Sequence, residues 1–329
     1  MFNYISRRVA VMIPVLILIS MFIFFIIQLP PGNYLDSYVA LISSQGETIS
    51  GERVEKLEER YGLNQPVYVK YWKWVKGFPT LDFGNSFQYD NASVWSIVKA
   101  YLGYSILIAG STQIFMIVVG IPIGIYSATH QYSFGDYFWT ILGFIGLSIP
   151  NFMLALILMY VGYFVFGIPS LGGLFSEQYI TAPWSIAKFI DLLQHLWIPV
   201  IVLGTAGTAG VIRTMRANLL DVLNMQYINT ARAKGLKENV VIYKHAVRNA
   251  LHVIIMWAGM RLPKLISGST VVSIVLSLPT LGPIIYSALR SQDMYLAGTV
   301  LLFQCVLLLV GNLIADIILA VVDPRIQYN

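Results

Sequence analysis

Long apolar stretches alternate with short polar segments along this chain of 329 residues, and six of the stretches predict membrane-spanning helices. A helix needs about 20 predominantly apolar residues to cross the hydrocarbon core of a bilayer. The fourth stretch is the shortest of the six. The predicted spans are Val9–Leu29, Tyr101–Ala128, Tyr137–Phe166, Leu196–Ile212, Leu251–Leu276 and Leu296–Val322.

The composition agrees with this pattern. Hydrophobic residues make up 57% of the chain and charged residues only 11%, whereas a soluble domain carries about 25% charged residues. We therefore predict an all-α polytopic membrane protein with six transmembrane helices. The net charge of +5 is interpreted as a signal of topology and not of nucleic-acid binding.

Positive charge orients the predicted spans, because cytoplasmic loops carry an excess of Lys and Arg. Arg7 and Arg8 precede the first span, which we expect to be an uncleaved helix since its apolar core is longer than that of a signal peptide. An even number of spans then places both termini in the cytoplasm. The cations between the fourth and fifth spans lie on the same side; they are Arg213, Arg216, Arg232, Lys234, Lys237, Lys244 and Arg248.

The region from residue 30 to residue 99 is then extracytoplasmic. Ser50 is a candidate N-cap for a charged helix that Gly62 ends, with Glu52 and Lys56 one turn apart. Pro66 opens a second predicted helix. It carries the aromatic residues Tyr68, Tyr71, Trp72 and Trp74. Aromatic residues of this kind favour the headgroup level of a membrane, so an interfacial scaffold is our interpretation, with a binding surface as the alternative.

Small residues recur within the spans. Gly120 and Gly124 form a GxxxG pattern, and Gly204, Gly207 and Gly210 form a second strip, which predicts close approach of helices. Proline at positions 122 and 150 predicts kinks.

One polar segment, Gln226–Leu251, interrupts the apolar pattern between the fourth and fifth spans. It predicts a short helix over Tyr227–Lys234, a left-handed cap at Gly235 and a second helix from about Glu238. Two helices joined at a glycine corner form a compact knob on which a cytoplasmic partner can dock. The alternative is an amphipathic loop on the lipid surface, with its cations against anionic headgroups.

The segment resembles the cytoplasmic EAA-type loop of ABC importer permeases of the dipeptide/oligopeptide/nickel family. Asn229 stands where the general motif has glutamate, and Val247-Arg248 stands where it has Leu-Pro. The matching positions are Tyr227, Thr230 to Leu236, His245, Ala246 and Arg248 to Ala250. Other matching landmarks, in order, are Arg7-Arg8, Pro31-Gly32, Tyr61-Gly62-Leu63-Asn64-Gln65-Pro66, Asp82-Phe83-Gly84-Asn85-Ser86, Ser148-Ile149-Pro150 and Asp323-Pro324-Arg325-Ile326.

The resemblance implies the transmembrane domain of a type I ABC importer in the cytoplasmic membrane of a prokaryote. Residues 1–95 would form the first span with the extracytoplasmic region, and residues 96–325 the permease domain. The knob would be a coupling helix that contacts a separate ATPase subunit. The implied contact residues are Asn229, Thr230, Ala231, Arg232, Ala233, Lys234 and Gly235.

The implied partners are a second homologous permease, two ABC ATPase subunits that bind ATP and Mg²⁺, an extracytoplasmic solute-binding protein and the lipid bilayer. No cofactor is expected on this chain, which has no Gly-x-x-x-x-Gly-Lys-Ser/Thr loop for phosphates. No catalytic motif is present either, so we expect a transport subunit and not an enzyme. Energy then comes from a partner or from an ion gradient, which leaves a secondary transporter and a non-transport scaffold as rival classes.

The family favours short oligopeptides as substrates, with oligosaccharides and nickel chelates as alternatives. Ser273 begins a stretch, up to Leu289, that has serine where many peptide permeases have glutamate, which raises the oligosaccharide alternative.

Three charged residues lie within predicted spans, where an ionisable residue is a functional candidate. Arg261 and Lys264 flank Pro263 in the fifth span. Our hypothesis is that both line the translocation route and contact polar or anionic groups of the substrate. The alternative is that the span begins near Leu262, which places both at the cytoplasmic interface. For Asp316, in the last span, a structural partner bond is preferred to a role in the path. Lys188 and Asp191 are expected at the outer surface before the fourth span.

Overall fold

A computed structural model describes residues 2–45, 51–168, 171–267 and 270–322, and its elements are helical. Two predictions lie outside these residues, the N-cap at Ser50 and the sequence at 323–326, and the side chain of Lys264 is not described either. The helices are α1 (Phe2–Ile27), α2 (Tyr34–Ser44), α3 (Gly51–Tyr61), α4 (Val67–Val75), α5 (Val94–Thr129), α6 (Phe134–Ser148), α7 (Asn151–Phe164), α8 (Glu177–Ile180), α9 (Ile186–Leu223), α10 (Gln226–Ala233), α11 (Glu238–Val240), α12 (Val247–Ser267), α13 (Thr270–Val275), α14 (Leu281–Arg290) and α15 (Met294–Val322), with a 3₁₀ turn at Phe78–Thr80 and a π-helix at Val241–Ala246.

The chain folds as two compact units. One comprises Phe2–Ser105 and Thr280–Leu307, and the other comprises Ile106–Pro279 and resumes at Leu308. The first unit therefore contains the predicted extracytoplasmic region together with α14. The second contains the polar segment that resembles a coupling loop.

Within the described residues, four helices are long and apolar enough to span a bilayer, and a bent pair raises the number to five. A multi-pass membrane protein follows from this count. The fifth predicted span, Leu251–Leu276, falls on α12 and α13 and is not among these helices. The identified helices are Tyr4–Ile27, Val94–Thr129, Ile186–Leu223 and Met294–Ile318, and the bent pair is Phe134–Ser148 with Asn151–Phe164.

The bend in this pair lies at Pro150, where a kink is predicted. The axes of α6 and α7 differ by 103°. Ile149 has an extended backbone, with φ −83° and ψ 123°, because a residue before proline is sterically excluded from the helical region. Pro122, in contrast, lies inside α5 without ending it.

The fourth predicted span is wrong in length, because α9 begins ten residues earlier than Leu196 and has 38 residues. The charged residues Lys188 and Asp191 are buried within the protein in the first turns of this helix, as is His195. The preceding loop satisfies the polar groups of Lys188 and Asp191, whereas His195 Nε2 has no hydrogen-bond partner among the described residues. The expected position of Lys188 and Asp191 at the outer surface of the membrane stays a prediction, since their burial is against neighbouring residues of the protein.

Burial of these groups depends on specific partners. Lys188 Nζ donates to the carbonyl of Ala182 at 2.6 Å and lies over the rings of Phe175 and Trp184. The carboxylate of Asp191 accepts from the backbone N–H and the hydroxyl of Ser176, at 2.9 and 2.6 Å. A paired or hydrogen-bonded charge can be buried where an isolated one is expelled.

The predicted glycine strips lie at helix contacts. A Cβ atom on Gly120 would approach Val211 to 2.7 Å, and one on Gly124 would approach Met215 to 2.6 Å. On the other helix, Gly207 lies directly against Met116. Glycine thus lets α5 and α9 approach backbone to backbone, as small residues do in membrane helices.

Aromatic side chains form the core of the first unit. Trp74 is fully buried, stacks on Phe24 of α1 with ring centroids 5.4 Å apart, and donates its indole N–H to Thr299 Oγ1 at 3.0 Å. Tyr68 and Trp72 are exposed. The interfacial interpretation is thus wrong for Trp74, because it lies on the inward face of α4 and only part of the aromatic set faces outward.

Candidate coupling segment and membrane-embedded charges

The short helix α10 presents most of its side chains to solvent. It covers Gln226–Ala233, close to the predicted Tyr227–Lys234. Ile228 and Ala231 are buried beneath it, whereas the other six implied contact residues are exposed. Ala231 therefore supports the helix from below, and its side chain is not on the exposed face that the resemblance assigned to it.

The glycine corner forms where it is predicted. Gly235 has φ +75°, a left-handed conformation that glycine adopts without the steric cost of a Cβ atom. Its N–H donates to the carbonyl of Arg232 at 2.9 Å, and the N–H of Leu236 donates to that of Ala231 at 3.4 Å. These bonds satisfy the last carbonyls of α10 and turn the chain sharply toward α11.

An ion pair closes this corner. Arg232 Nη2 lies 2.6 Å from Glu238 Oε1, and Arg232 Nε lies 3.2 and 3.1 Å from the two carboxylate oxygens. This fork geometry is the stronger, bidentate form of an arginine–carboxylate contact. The hydrogen bond from Arg232 lowers the pKa of Glu238 below its ordinary value. This pair is not predictable from local sequence patterns, because its six-residue spacing belongs to no helical pattern.

A second side-chain contact ties α10 to the start of α12. Asn249 Nδ2 donates to the hydroxyl of Tyr227 at 2.7 Å and to the carbonyl of His245 at 3.1 Å. Between the two helices the chain winds as a π-helix over Val241–Ala246, with both end residues buried. The knob is therefore held at its corner and at its base.

The exposed surface of this knob is partly apolar and partly cationic. The apolar part contains Met225, Tyr227, Leu236, Val240 and Tyr243, which are all exposed. Lys234, Lys237 and Lys244 are exposed beside them. Such a surface suits a partner groove with apolar walls and acidic residues at its rim.

Arg261 lies on α12 against an aromatic ring. Its guanidinium carbon is 4.6 Å from the centroid of Trp257, a cation–π distance. Its Nε is buried and has no hydrogen-bond partner among the described residues. On α9, Gly210 leaves room for this pair, since a Cβ atom there would lie 3.4 Å from the Trp257 ring.

Asp316 is half-buried in α15 and has interaction partners of its own.

Comparison with known proteins places this geometry in a family. Residues 120–328 match the family described as binding-protein-dependent transport system inner membrane component, and residues 1–109 match the N-terminal part of such membrane components. The chain is 39% identical over 325 residues to the oligopeptide transport system permease protein AppB of Bacillus subtilis (strain 168), which covers 99% of each chain. It is 33% identical over 341 residues to the dipeptide transport system permease protein DppB of Alkalihalophilus pseudofirmus, which covers 100% of each.

A solved structure shares the fold. A chain of the inward-facing MetNI methionine ABC transporter superposes with a TM-score of 0.54 and 17% identity, which covers 69% of this chain and 96% of that chain. At this identity the likeness concerns the fold alone. Together with the family match over most of the chain, it identifies the protein as a member of the binding-protein-dependent transport system inner membrane components, the permease family of ABC importers.

Proposed function

We propose that this chain is the permease subunit of an ATP-driven importer of short oligopeptides, and that α10 with its glycine corner is the coupling helix. The names of the relatives support the substrate class, because they are oligopeptide and dipeptide transport permeases that match over the full chain. Oligosaccharides and nickel chelates remain the alternative cargo. Import proceeds by alternating access of a path through the membrane.

The observation that carries this proposal is the exposed knob at the end of α9. This helix has 38 residues and leads directly into α10 through Asn224 and Met225. Since Arg232 and Tyr227 each bind a residue beyond the corner, a push on α10 is transmitted to both α9 and α12. A rigid lever of this kind supports coupling to a moving ATPase better than a loose lipid-bound loop does.

The complete transporter then contains a second permease, two ATPase subunits with ATP and Mg²⁺, and an extracytoplasmic solute-binding protein. The termini and the knob face the cytoplasm, as the positive charges indicate. Residues 1–95 supply the first span and the extracytoplasmic region, and residues 96–325 supply the permease domain. This chain supplies no catalytic group.

The membrane-embedded charges serve the path in this proposal. Arg261 binds the C-terminal carboxylate of the peptide, for which its unpartnered Nε supports a donor role. Lys264 is proposed to add a second cation to the same path, whereas Asp316, which interacts with another residue of the protein, is proposed to be a structural partner. Replacing Arg261 with Leu is expected to slow uptake of a peptide with a free C-terminus and to spare the same peptide as its amide. Replacement with Lys is the charge-preserving control, and equal loss for both peptides would exclude the carboxylate contact.

Uptake energetics test the function. Purified transporter in vesicles is expected to accumulate labelled peptide when ATP and the solute-binding protein are supplied, with the proton and sodium gradients collapsed. Accumulation that needs a gradient and not ATP would establish a secondary transporter. Copurification distinguishes an importer from a non-transport scaffold. A second permease and ATPase subunits are expected to copurify with an importer subunit and not with a scaffold.

A further inference from the structure

We propose that a cleft between α6 and α9 binds an anionic phospholipid, with Arg213 at the headgroup phosphate and one acyl chain along the apolar wall. The cleft has a volume of about 230 Å³. Sites that enclose a whole small molecule have about 300–1,000 Å³, so this one encloses part of a molecule whose remainder lies outside. A lipid in a bilayer meets that condition.

The polarity of the cleft changes along its length. Tyr132, Asp136 and Tyr137 line it where α6 begins, and Arg213 and Arg216 line it from the last turns of α9. This end is polar, aromatic and cationic.

Deeper in the cleft the lining is mostly apolar, with Thr140 as its polar member. Trp139, Gly143, Phe144 and Leu147 follow at helical spacing on α6, and Ala209 faces them from α9. A phospholipid has the same order, from charged headgroup to hydrocarbon, and tyrosine and arginine are favoured at the level where the two meet.

The charges of the polar end leave one cation without a partner. The carboxylate of Asp136 accepts two hydrogen bonds from Arg216, at 3.0 and 2.9 Å, and one from the N–H of Tyr132 at 3.0 Å. Arg216 is thereby neutralised. Arg213 is exposed and forms no hydrogen bond or ion pair with any described residue, so the cleft carries one unpaired positive charge and selects an anion.

The phosphate of a lipid completes this arrangement. A guanidinium binds phosphate oxygens in a fork, and the hydroxyls of Tyr132 and Tyr137 are available donors at the same end. Binding itself does not depend on transport. The proposed orientation of the chain would place this lipid in the cytoplasmic leaflet.

Trp139 provides a reporter inside the cleft. The full-length chain, purified with the subunits that accompany it, is reconstituted in phosphatidylcholine vesicles that contain a small fraction of phosphatidylglycerol brominated on its acyl chains. Bromine quenches tryptophan fluorescence at contact. The quenching that is present in the unchanged protein and absent in the Trp139→Phe variant belongs to Trp139, which separates the cleft from the other tryptophans. We expect that half-maximal quenching of Trp139 needs roughly fivefold less brominated phosphatidylglycerol than brominated phosphatidylcholine. A preference of this size is what one basic residue provides for an anionic lipid.

Two substitutions test the role of the cation. Arg213→Gln is expected to remove the preference, so that both brominated lipids quench equally, and Arg213→Lys is expected to retain most of it. Arg290→Gln is the matched control, because Arg290 is an exposed cation in the other unit and its loss leaves the preference intact. Size-exclusion profiles establish that each variant is assembled.

Three results would overturn the proposal. Equal quenching by both lipids in the unchanged protein would mean that the cleft does not select an anion. No quenching of Trp139 by either lipid would mean that another subunit fills the cleft. Loss of the preference on addition of millimolar inorganic phosphate would mean a site for free phosphate.

Discussion

Gly120 and Val211 are in direct contact, since a Cβ atom added to Gly120 would lie 2.7 Å from both the Cβ and the Cγ1 of Val211. Real Cβ atoms are not found at this distance, so α5 and α9 cannot keep their present separation around any larger residue. The contact joins the two long helices that flank the bent pair in sequence.

We predict that Gly120→Ala destabilises the protein. Overpacking of this kind costs about 1–3 kcal/mol, which lowers the midpoint of thermal unfolding in detergent. Gly110→Ala is the matched control, because Gly110 lies in the same helix with nothing within 4 Å of the added carbon. Alanine favours a helix over glycine by about 1 kcal/mol, so the control is expected to be neutral or stabilising. Equal midpoints for the two variants would contradict the close contact.

The corner pair Arg232–Glu238 is predicted to serve coupling. Glu238→Arg places two like charges across Gly235, which loosens the knob, and we expect less peptide transported per ATP hydrolysed. The exchanged pair, Arg232→Glu with Glu238→Arg, is expected to recover part of the loss. The measurement is uptake and ATP hydrolysis in the same vesicles.

A similar ion pair serves as control for this experiment. Lys56 and Glu52 also lie 2.6 Å apart and are exposed, yet they are on α3 in the other unit. Glu52→Arg is expected to leave the transport-to-hydrolysis ratio unchanged. A ratio that stays constant in Glu238→Arg as well would mean that the corner pair has no part in coupling.

The same pair predicts a dependence on pH. Because Arg232 lowers the pKa of Glu238, the pair stabilises the corner above the ordinary glutamate pKa, about 4.3, and this contribution is lost as the pH falls through the lowered value. Hydrogen exchange at the amides of Gly235 and Leu236, corrected for the intrinsic effect of pH, is expected to accelerate in that acidic range. Glu238→Gln should show no such step, and a step in that variant would assign it to another group.

Crosslinking distinguishes the two alanines of α10. Cys305 is the single cysteine of the chain, so Cys305→Ser provides a cysteine-free background. A cysteine at Ala233, which is exposed, is expected to crosslink to an ATPase subunit. A cysteine at Ala231, buried two residues away, is the control and should crosslink poorly. Capture of lipid-like probes only, and of no nucleotide hydrolase, would favour the loop on the membrane surface.

The buried hydrogen bond between Trp74 and Thr299 is predicted to stabilise the first unit. Thr299→Val keeps the shape of the side chain but leaves the indole N–H buried without an acceptor, which costs about 1–3 kcal/mol. Thr299→Ser keeps the hydroxyl and is expected to lose less. Thermal unfolding followed by tryptophan fluorescence compares the two variants, and a Thr299→Val variant as stable as the unchanged protein would contradict a stabilising role of this hydrogen bond.

Local sequence signals predicted the local features well. The left-handed cap at Gly235 and the boundaries of α10 are predictable because the glycine and the helix it ends lie within ten residues of one another. The break at Pro150 is predictable from the steric rule for the residue before proline. The size of that bend, 103°, has no such local signal, because packing against other helices sets it.

Features that depend on distant partners were not predictable in the same way. Lys188 and Asp191 signal exposure by composition, and only the loop at Ser176 and Ala182 makes their burial possible. Trp74 differs from Trp72 only in its position around α4. Likewise, the polarity of the cleft at Arg213 becomes apparent only when α6 and α9 are placed side by side.

The π-helix at Val241–Ala246 fixes a rotational phase between the knob and α12. A π-turn closes i to i+5 and holds one more residue than an α-turn, and each residue of an α-helix advances the chain by about 100° around its axis. Deletion of one residue there would close the wide turn to an α-turn and keep the flanking segments near their present phase, whereas deletion of one residue in the regular helix of α12 would turn the knob by about 100° around the helix axis. The position of a deletion along this segment, and not only side-chain identity, therefore determines the direction in which the knob points.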